Sequence, residues 1–283
     1  MIRGAATVDQ APRTDSDLLN EGRPSADDLA VRFEHVSKTF GVRKVMNDVT
    51  FAVSTSRAFC LLGRSGTGKS VTLRHIIGLV TPDEGHVFVE GRDLSALKPR
   101  GLSEIRQRMG FVFQGAALFD SMTVGDNVAF PLRRHTRLSE AEIVRRAKSK
   151  LADVGLEREF DKMPADLSGG MRKRAGLARA MALDPPILLV DEPSAGLDPI
   201  TSRRLDELIL ALRASLETTI VVVTHDLESL LTIGDNSVFL DNETKTIIAR
   251  GEPRDLLANC DYPKVQTFLR RGEPAAPAGG GAR

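Results

Sequence analysis

An eight-residue glycine-rich run has the residue types and spacing of a phosphate-binding loop. It reads Gly63-Arg64-Ser65-Gly66-Thr67-Gly68-Lys69-Ser70 and matches the pattern G-x-x-x-x-G-K-[ST] at every fixed position. Its glycines let backbone N–H groups approach phosphate oxygens, and the start of a following helix adds positive dipole. Lys69 is expected to neutralise β- and γ-phosphate charge, and the Ser70 hydroxyl to bind Mg²⁺. The expected ligand is a nucleoside triphosphate, and an ordinary glycine turn with a solvated lysine is the weaker alternative.

Two carboxylates follow a second apolar run. Residues 187–190 read Ile-Leu-Leu-Val, and Asp191 and Glu192 come directly after them. Ligands bind at the carboxyl ends of the strands in open α/β sheets, so both side chains are expected at the phosphate site. Asp191 suits the Mg²⁺ shell, and Glu192 suits the orientation of an attacking water or the acceptance of its proton. Two solvated loop acids are the alternative, which the upstream glycine-rich run disfavours.

A third stretch, Ser168-Gly169-Gly170, is expected to open a helix. Ser168 is a favourable N-cap, and a helix start with free backbone N–H groups is a second phosphate-binding device. One chain does not need two such devices for one γ-phosphate. A symmetric head-to-tail dimer would use both, with each ATP between the glycine-rich loop of one copy and the serine-glycine helix of the other. Taken alone, Ser-Gly-Gly also fits a plain turn and cap.

Strands and helices must alternate to bring these residues together. Ser139 and Glu142 have the spacing of a capping box, and the helix that they open is expected to run to about Val154. Asp198 and Pro199 are typical of an N-cap and a first helical residue. Alternating strands and helices predict an α/β fold with a mostly parallel sheet that is covered on both faces. Short apolar runs predict the strands at 31–33, 49–53, 58–62, 86–89, 187–190, 220–223, 237–240 and 246–249.

The chain divides into one folded domain and two polar tails. We expect disordered tails at 1–28 and 273–283, and a single domain at 29–272. Residues 115–182 lack clear strand signals and are expected to form a helical subdomain.

The composition limits the classes to which this protein can belong. The 283 residues include 39 Lys+Arg and 38 Asp+Glu, a net charge of +1, which gives no electrostatic case for a nucleic-acid partner. Cys60 and Cys260 have no partner at metal spacing and favour a reduced cytosolic setting. No apolar run approaches the roughly 18 residues of a membrane span, and the acidic N-terminus is unlike a secretory signal. A role at a membrane is therefore expected to come through a partner.

Six motifs in order resemble those of the ATP-binding cassette (ABC) ATPases over about residues 29–272. Two of these motifs are the P-loop (residues 63–70) and the Walker B acids, Asp191 and Glu192. The other four are the Q-loop Gln114, the signature motif at 167–171, the D-loop at 194–198 and the switch His225. Phe40, just before Gly41, resembles the aromatic residue that stacks on adenine, with core packing as its alternative. The resemblance implies a RecA-like P-loop NTPase core with an N-terminal antiparallel β portion and an inserted α-helical subdomain.

The resemblance also implies roles for single residues. Glu192, His225 and Gln114 are the expected catalytic residues, His225 as a clamp on the γ-phosphate and Gln114 as a sensor of Mg²⁺ and water. The expected Mg²⁺ ligands are Ser70, Gln114 and Asp191. The expected nucleotide contacts are Phe40, Gly63, Arg64, Ser65, Gly66, Thr67, Gly68, Lys69, Ser70, Ser168, Gly169, Gly170 and Asp198.

The segment after Gln114 resembles the Mla-type phospholipid transport ATPases, also described as toluene-tolerance or Mce-associated ATPases. Residues 115–133 carry the runs Leu-Phe-Asp-Ser-Met-Thr-Val and Asn-Val-Ala-Phe-Pro-Leu-Arg, whose apolar side chains suit a groove that receives a partner helix. Met171 supports this group, because importers of small solutes usually have glutamine after the two glycines. The pair Ala116-Ala117 departs from the Ser-Gly-Ala that this group leads us to expect.

The Mla-type resemblance implies the ATP-hydrolysing subunit of a transporter that moves phospholipid between the inner and outer membranes and maintains outer-membrane lipid asymmetry. The expected partners are a second copy of the chain, integral-membrane permease subunits, an Mce-domain lipid-binding protein and a STAS-domain subunit, at the cytoplasmic face of the inner membrane. Two alternatives stay open. One is the ATPase of an importer for amino acids or another small solute, and the other is a non-transport ABC module.

Overall fold

The computed structural model describes residues 28–270, so the tails predicted at 1–28 and 273–283 lie, apart from Asp28, outside the described residues. The strands are β1 (Leu29–Phe40), β2 (Arg43–Ser54), β3 (Ala58–Leu62), β4 (Glu84–Val89), β5 (Arg92–Asp93), β6 (Met109–Val112), β7 (Ile187–Asp191), β8 (Thr219–Val223), β9 (Asn236–Leu240) and β10 (Ile247–Gly251). The α-helices are α1 (Lys69–Ile76), α2 (Pro99–Gln107), α3 (Val124–His135), α4 (Glu140–Asp153), α5 (Gly169–Ala180), α6 (Pro199–Leu216), α7 (Leu227–Ile233), α8 (Pro253–Asn259) and α9 (Pro263–Leu269). Short 3₁₀ helices occur at Leu94–Ala96, Glu157–Glu159 and Pro164–Asp166.

The strands form two sheets. The first is antiparallel, with the order β2-β1-β4-β5. The second has the order β10-β9-β3-β8-β7-β6, and its strands run parallel from β9 to β6, with β10 antiparallel at one edge. The mostly parallel sheet, which the sequence pattern predicted, and the N-terminal antiparallel portion, which the family resemblance implied, are both confirmed.

The six-stranded sheet is covered on both faces. Along β3 the side chains alternate, so that Cys60 and Leu62 pack into one core while Phe59 and Leu61 pack into the other. Helices α3 to α6 fill the first core, and the antiparallel sheet with α1 fills the second. A strand buried on both faces is apolar at every position, which is why continuous apolar runs predicted β3, β7 and β8 correctly.

Two predicted helix starts are confirmed by their caps. The Ser139 N–H donates to the Glu142 carboxylate at 3.0 Å, and the Glu142 N–H donates back to Ser139 Oγ, which completes the capping box of α4. The Asp198 carboxylate accepts the N–H groups of Ile200 and Thr201 at the start of α6. Residues 115–182 hold α3, α4 and α5, and their separation as a subdomain stays a prediction.

The strand prediction was incomplete, because it missed the two-residue strand β5 and strand β6 and made β1 and β2 too short. Strand β6 was missed because it has only four residues, one of them Gly110, and glycine weakens a strand signal. A Cβ at Gly110 would lie 2.5 Å from the Ala180 carbonyl oxygen, so glycine lets α5 approach the sheet closely. Strands β1 and β2 extend well beyond the predicted 31–33 and 49–53, because register shifts interrupt their alternation.

None of the helices between residues 28 and 270 has the length and apolar content that crossing a membrane requires.

Candidate functional site

The carboxyl ends of three neighbouring strands meet at one edge of the six-stranded sheet. Residues 63–70 follow β3, Asp191 closes β7, and His225 follows β8 after one intervening residue. Leu61 of β3 and Asp191 of β7 both lie beside Val223 of β8. The strand order β3-β8-β7 therefore collects side chains that are far apart in the sequence.

The P-loop folds around its own lysine. Lys69 is the first residue of α1, and its Nζ donates to the carbonyl oxygens of Gly63 at 2.7 Å and Arg64 at 3.0 Å. Gly68 has a φ of +99°, a left-handed conformation in which the chain turns from the loop into the helix. Burial lowers the pKa of the Lys69 ammonium, and the carboxylates at 191–192 act in the opposite direction. A largely buried cation thus lies where a polyphosphate would be bound.

Ser70 and Asp191 form a pair of hard oxygen ligands. The Ser70 hydroxyl donates to Asp191 Oδ1 at 3.2 Å. Burial raises the pKa of Asp191, while this hydrogen bond lowers it. Mg²⁺ at nucleotide sites usually takes one or two protein oxygens, with phosphates and waters completing its shell, so the pair fits this ion. Gln114, the third predicted ligand, is exposed, and within residues 28–270 no hydrogen bond joins its side chain to the pair.

The two other predicted catalytic residues are in direct contact. His225 Nδ1 lies 2.7 Å from Glu192 Oε2, and the His225 backbone N–H donates to the same oxygen at 3.4 Å. The Glu192 N–H donates to the Val223 carbonyl oxygen, which ties the turn after β7 to β8. Glu192 has a φ of +51°, and its side chain is 14 % exposed. A carboxylate held in this way can accept a proton from a water while it stays oriented.

The serine-glycine motif lies away from the P-loop of the same chain. Ser168 Oγ accepts the N–H of Met171 at 3.2 Å and caps α5, as predicted. A Cβ at Gly170 would lie 2.7 Å from Thr201 Cγ2, so the motif packs against the start of α6. Between residues 28 and 270 no hydrogen bond connects residues 168–170 with residues 63–70. A single copy therefore does not bring the two predicted phosphate-binding segments together.

Comparison with known proteins identifies the family. The family model described as ABC transporter matches residues 46–195. The chain belongs to the ABC transporter family. A Mycobacterium tuberculosis relative, named probable ribonucleotide transport ATP-binding protein mkl, is 42% identical over 259 residues, which cover 92% of this chain and 70% of the relative. The Escherichia coli (strain K12) intermembrane phospholipid transport system ATP-binding protein MlaF is 41% identical over 239 residues, 84% of this chain and 88% of the relative.

Solved structures of ABC cassettes share the fold. The dimeric post-hydrolysis state of the ATP-binding cassette MJ0796, bound to ADP and Pi, matches with a TM-score of 0.72 and 31% identity over 79% of this chain and 99% of that one. The Clostridium perfringens protein cbiO1, part of the complex cbiONQ, matches with a TM-score of 0.75 and 26% identity over 86% and 96%. The chain is an ABC ATPase, and its nucleotide is ATP.

The predicted adenine-stacking residue of this ABC ATPase is at the end of β1. Phe40 is 46% exposed, and Lys38 Nζ lies 5.4 Å from its ring centroid. Arg43, which pairs with Phe40 in the β1–β2 hairpin, has a guanidinium nitrogen 3.4 Å from the position of a Cβ on Gly66. The hairpin therefore lies against the P-loop. The exposure of Phe40 rules out the core-packing alternative within this chain.

A groove borders the segment that follows Gln114. Its cavity has a volume of about 480 Å³ and lies between α2, β6, α3 and α5. Phe113, Phe119 and Phe130 line it and are each about two-fifths exposed. The ring centroids of Phe119 and Phe130 lie 5.1 Å apart. Exposed aromatic clusters of this kind mark sites of interaction with other molecules.

One buried cation at the site was not predicted. Lys173 Nζ donates to the carbonyl oxygens of Gln114 at 3.0 Å and Glu192 at 3.3 Å. Burial lowers the pKa of this ammonium, and Glu192 raises it. The sequence carried a signal, because Lys173 is four residues before the buried Leu177 and so lies on the apolar face of α5.

A buried polar contact between α6 and α7 was also missed. The Ser229 hydroxyl donates to Asp206 Oδ2 at 2.6 Å, and Asp206 Oδ1 has no hydrogen-bond partner among the described residues. Burial raises the pKa of Asp206 to about 6, against the lowering effect of this hydrogen bond. The helices that follow Asp198 and His225 are therefore joined under the site. Asp206 and Ser229 are short polar residues within helices, and the sequence pattern around such residues does not indicate their packing partners.

Proposed function

We propose that this ABC ATPase binds MgATP at the P-loop and uses Glu192 as the general base. The contact between Glu192 and His225, at the edge where Ser70 meets Asp191, carries this proposal. A water attacks the γ-phosphorus, its proton passes to the Glu192 carboxylate, and the bond from the γ-phosphorus to the bridging oxygen of ADP breaks. Mg²⁺, bound by Ser70 and Asp191, would neutralise charge on the β- and γ-oxygens.

The other predicted residues complete this site. Backbone N–H groups of residues 63–70 and the Lys69 ammonium would hold the phosphates. Phe40 would stack on the adenine, which its exposed position in the hairpin beside the P-loop permits. His225 would contact the γ-phosphate, and Gln114 would approach Mg²⁺ and water by movement of its loop.

A second copy of the chain would complete each ATP site. Residues 168–170 pack on α6 rather than on the P-loop of their own chain, and their free N–H groups suit a γ-phosphate. Asp198 caps α6 beside them and would lie at the same interface. The solved structures of the MJ0796 cassette are dimeric. We therefore propose an ATP-bound head-to-tail dimer that opens after hydrolysis.

We propose phospholipid as the transported substrate. The Escherichia coli relative is named for intermembrane phospholipid transport, and it aligns with 84% of this chain. The Mycobacterium tuberculosis relative is named for probable ribonucleotide transport, so ribonucleotide is the substrate that a test must separate from lipid. Transport between the inner and outer membranes, with maintenance of lipid asymmetry, is the proposed role.

The docking segment (residues 115–133) would receive a permease subunit. It brings Phe119 and Phe130 to the groove, where Arg179 and His135 add polar groups to the lining. This arrangement of apolar surface with a polar edge suits an amphipathic partner helix. The ATPase would then be peripheral to the cytoplasmic face of the inner membrane. An Mce-domain protein and a STAS-domain subunit are the further proposed partners.

Purification of the tagged chain from its native membrane tests these assignments. Mass spectrometry should identify permease subunits, an Mce-domain protein and bound phospholipid. A co-purified solute-binding protein would instead support the small-solute importer. In proteoliposomes of the complex, ATP should drive phospholipid transfer in the wild type but not in Glu192→Gln. ATP-driven uptake of a ribonucleotide or an amino acid without lipid transfer would contradict the phospholipid proposal.

A further inference from the structure

Lys173 is a buried cation with main-chain partners. Its side chain lies inside the protein, with the residue only 7% exposed, and its Nζ donates to the carbonyl oxygens of Gln114 and Glu192. It forms no ion pair with any residue in the range 28–270. Burial of an ammonium is unfavourable in solvation free energy unless hydrogen bonds compensate it. An apolar side chain would suit this position of α5 at no such cost.

The contacts of Lys173 differ from those of the other cations of α5. Arg172 donates to the Leu167 carbonyl oxygen, Arg174 to that of Val154, and Arg179 to those of residues 116–117. These contacts join α5 to its surroundings. Among these α5 cations, Lys173 is the one bonded to the main chain of Glu192.

Helix α5 connects Lys173 rigidly to the serine-glycine motif. Ser168 caps this helix, and Lys173 lies five residues later, within about 8 Å along the helix axis at 1.5 Å per residue. The ammonium holds the turn in which Glu192 has its left-handed φ of +51°. It holds the Gln114 carbonyl at the same time. One side chain thus ties the motif that would contact the partner's ATP to two residues that would act on the chain's own ATP.

We propose that Lys173 is a positioning residue that aligns Glu192 and Gln114 with α5, the helix that begins at the signature motif. Movement of α5 when residues 168–170 take up the partner copy's ATP is then transmitted to the general base of the same chain. This inference rests on the base role proposed for Glu192 and assigns the link between the two sites of the dimer. Because the Lys173 ammonium is bonded to the carbonyl oxygens of Gln114 and Glu192 rather than to the P-loop, its loss should affect turnover rather than ATP affinity.

The steady-state kinetics of the full chain with MgATP test this role. Lys173→Met should lower kcat at least tenfold and leave KM for ATP within twofold. Lys173→Arg, whose guanidinium can donate to both carbonyls, should restore most of kcat. Arg174→Met, on the same helix, is the matched control and should keep the wild-type kcat. Equal kcat values for Lys173→Met and Arg174→Met, or a rise in KM alone, would overturn the proposal.

A double-mutant cycle separates this inference from the assignment of Glu192. Single-turnover hydrolysis by Glu192→Gln should be slow, and adding Lys173→Met should change that residual rate less than twofold. An equal fold-loss in both backgrounds would show that Lys173 acts independently of Glu192 and would overturn the inference. Full turnover by Glu192→Gln would instead refute the base assignment. If Lys173→Met does not fold, the kcat of Lys173→Ala, which has no donor, relative to Arg174→Met decides: a lower kcat at unchanged KM supports the role, and an equal kcat overturns it.

Discussion

The catalytic edge (residues 63–70, 191–192 and 225) and the docking segment are built in different ways. The catalytic edge lies at the ends of buried parallel strands, and its polar groups hydrogen-bond to one another or to the backbone. The docking segment lies on a loop and α3, with exposed aromatic rings and two alanines of left-handed φ. The strand order thus brings together the residues of the motifs shared with the family, whereas the docking segment is the surface that we propose for the permease. Substitutions in the two regions should therefore have separable effects.

The largest effect is expected at the catalytic edge. Glu192→Gln should lower ATP turnover about 100- to 1,000-fold, because it removes the general base while preserving the shape of the side chain. ATP binding should persist and a dimer should accumulate, which size-exclusion chromatography with radiolabelled ATP would measure. Glu207→Gln, at an exposed carboxylate of α6, is the control and should retain turnover. Wild-type turnover by Glu192→Gln would refute the general-base role of Glu192.

A smaller effect is expected in the docking segment. Phe119→Ser should weaken assembly with the permease by about 2 kcal/mol, roughly thirtyfold, because aromatic anchors dominate interface energies. Biolayer interferometry with the detergent-solubilised permease measures the affinity. Tyr262→Ser removes another exposed aromatic side chain, which is not one of those that line the groove, and should leave assembly unchanged. Equal losses from both variants would show that the docking surface lies elsewhere.

Beneath the catalytic edge, the charge of Asp206 should limit stability. Its folded pKa of about 6 exceeds the unfolded value of about 4, so the folded state binds its proton more tightly. Stability from this group is present below about pH 4 and is lost as pH rises to about 6. Asp206→Asn should remove this slope and raise the free energy of unfolding at pH 7.5 by about 1–2 kcal/mol after solvent screening. Urea unfolding of the wild type and the variant at about pH 4 and at pH 7.5 measures the free energies of unfolding. A steeper pH dependence of this free energy in the variant would contradict the raised pKa of Asp206.

The smallest expected effect concerns the left-handed backbone of the docking segment. Ala117 is exposed with a φ of +50°, which costs an L-residue about 1 kcal/mol relative to glycine. Ala117→Gly should therefore raise the free energy of unfolding by up to about 1 kcal/mol. Ala211→Gly, at an exposed position within α6, should lower it by about the same amount. Destabilisation of similar size by both variants would show that the loop is not strained.

Sequence patterns predicted the features that depend on local chemistry. The strands that end at the P-loop, at Asp191 and near His225 were readable because strands buried on both faces are apolar throughout. The helix starts at Ser139 and Asp198 were readable because a cap depends on residues two or three positions apart.

The features that were missed depend on packing between distant segments. Strand β6 is short and contains Gly110, whose role appears only when α5 is placed against it. A lysine in a helix is usually solvated, so the spacing of Lys173 from Leu177 indicates the apolar face of α5 but not the closeness of Gln114 and Glu192. The contact between Asp206 and Ser229 likewise requires α6 and α7 to be packed together.

Each ATP is proposed to lie between two copies of the chain, and ATP retention by mixed variants tests this arrangement most directly. In the Glu192→Gln background, copies with Lys69→Ala lack a working P-loop, and copies with Ser168→Arg lack a working signature motif. Neither variant alone should retain ATP after gel filtration. A mixture should form dimers that hold one ATP each, because the intact P-loop of one copy meets the intact Ser168 of the other. Absence of retained ATP in the mixture, or full retention by the Ser168→Arg copies alone, would contradict the composite site.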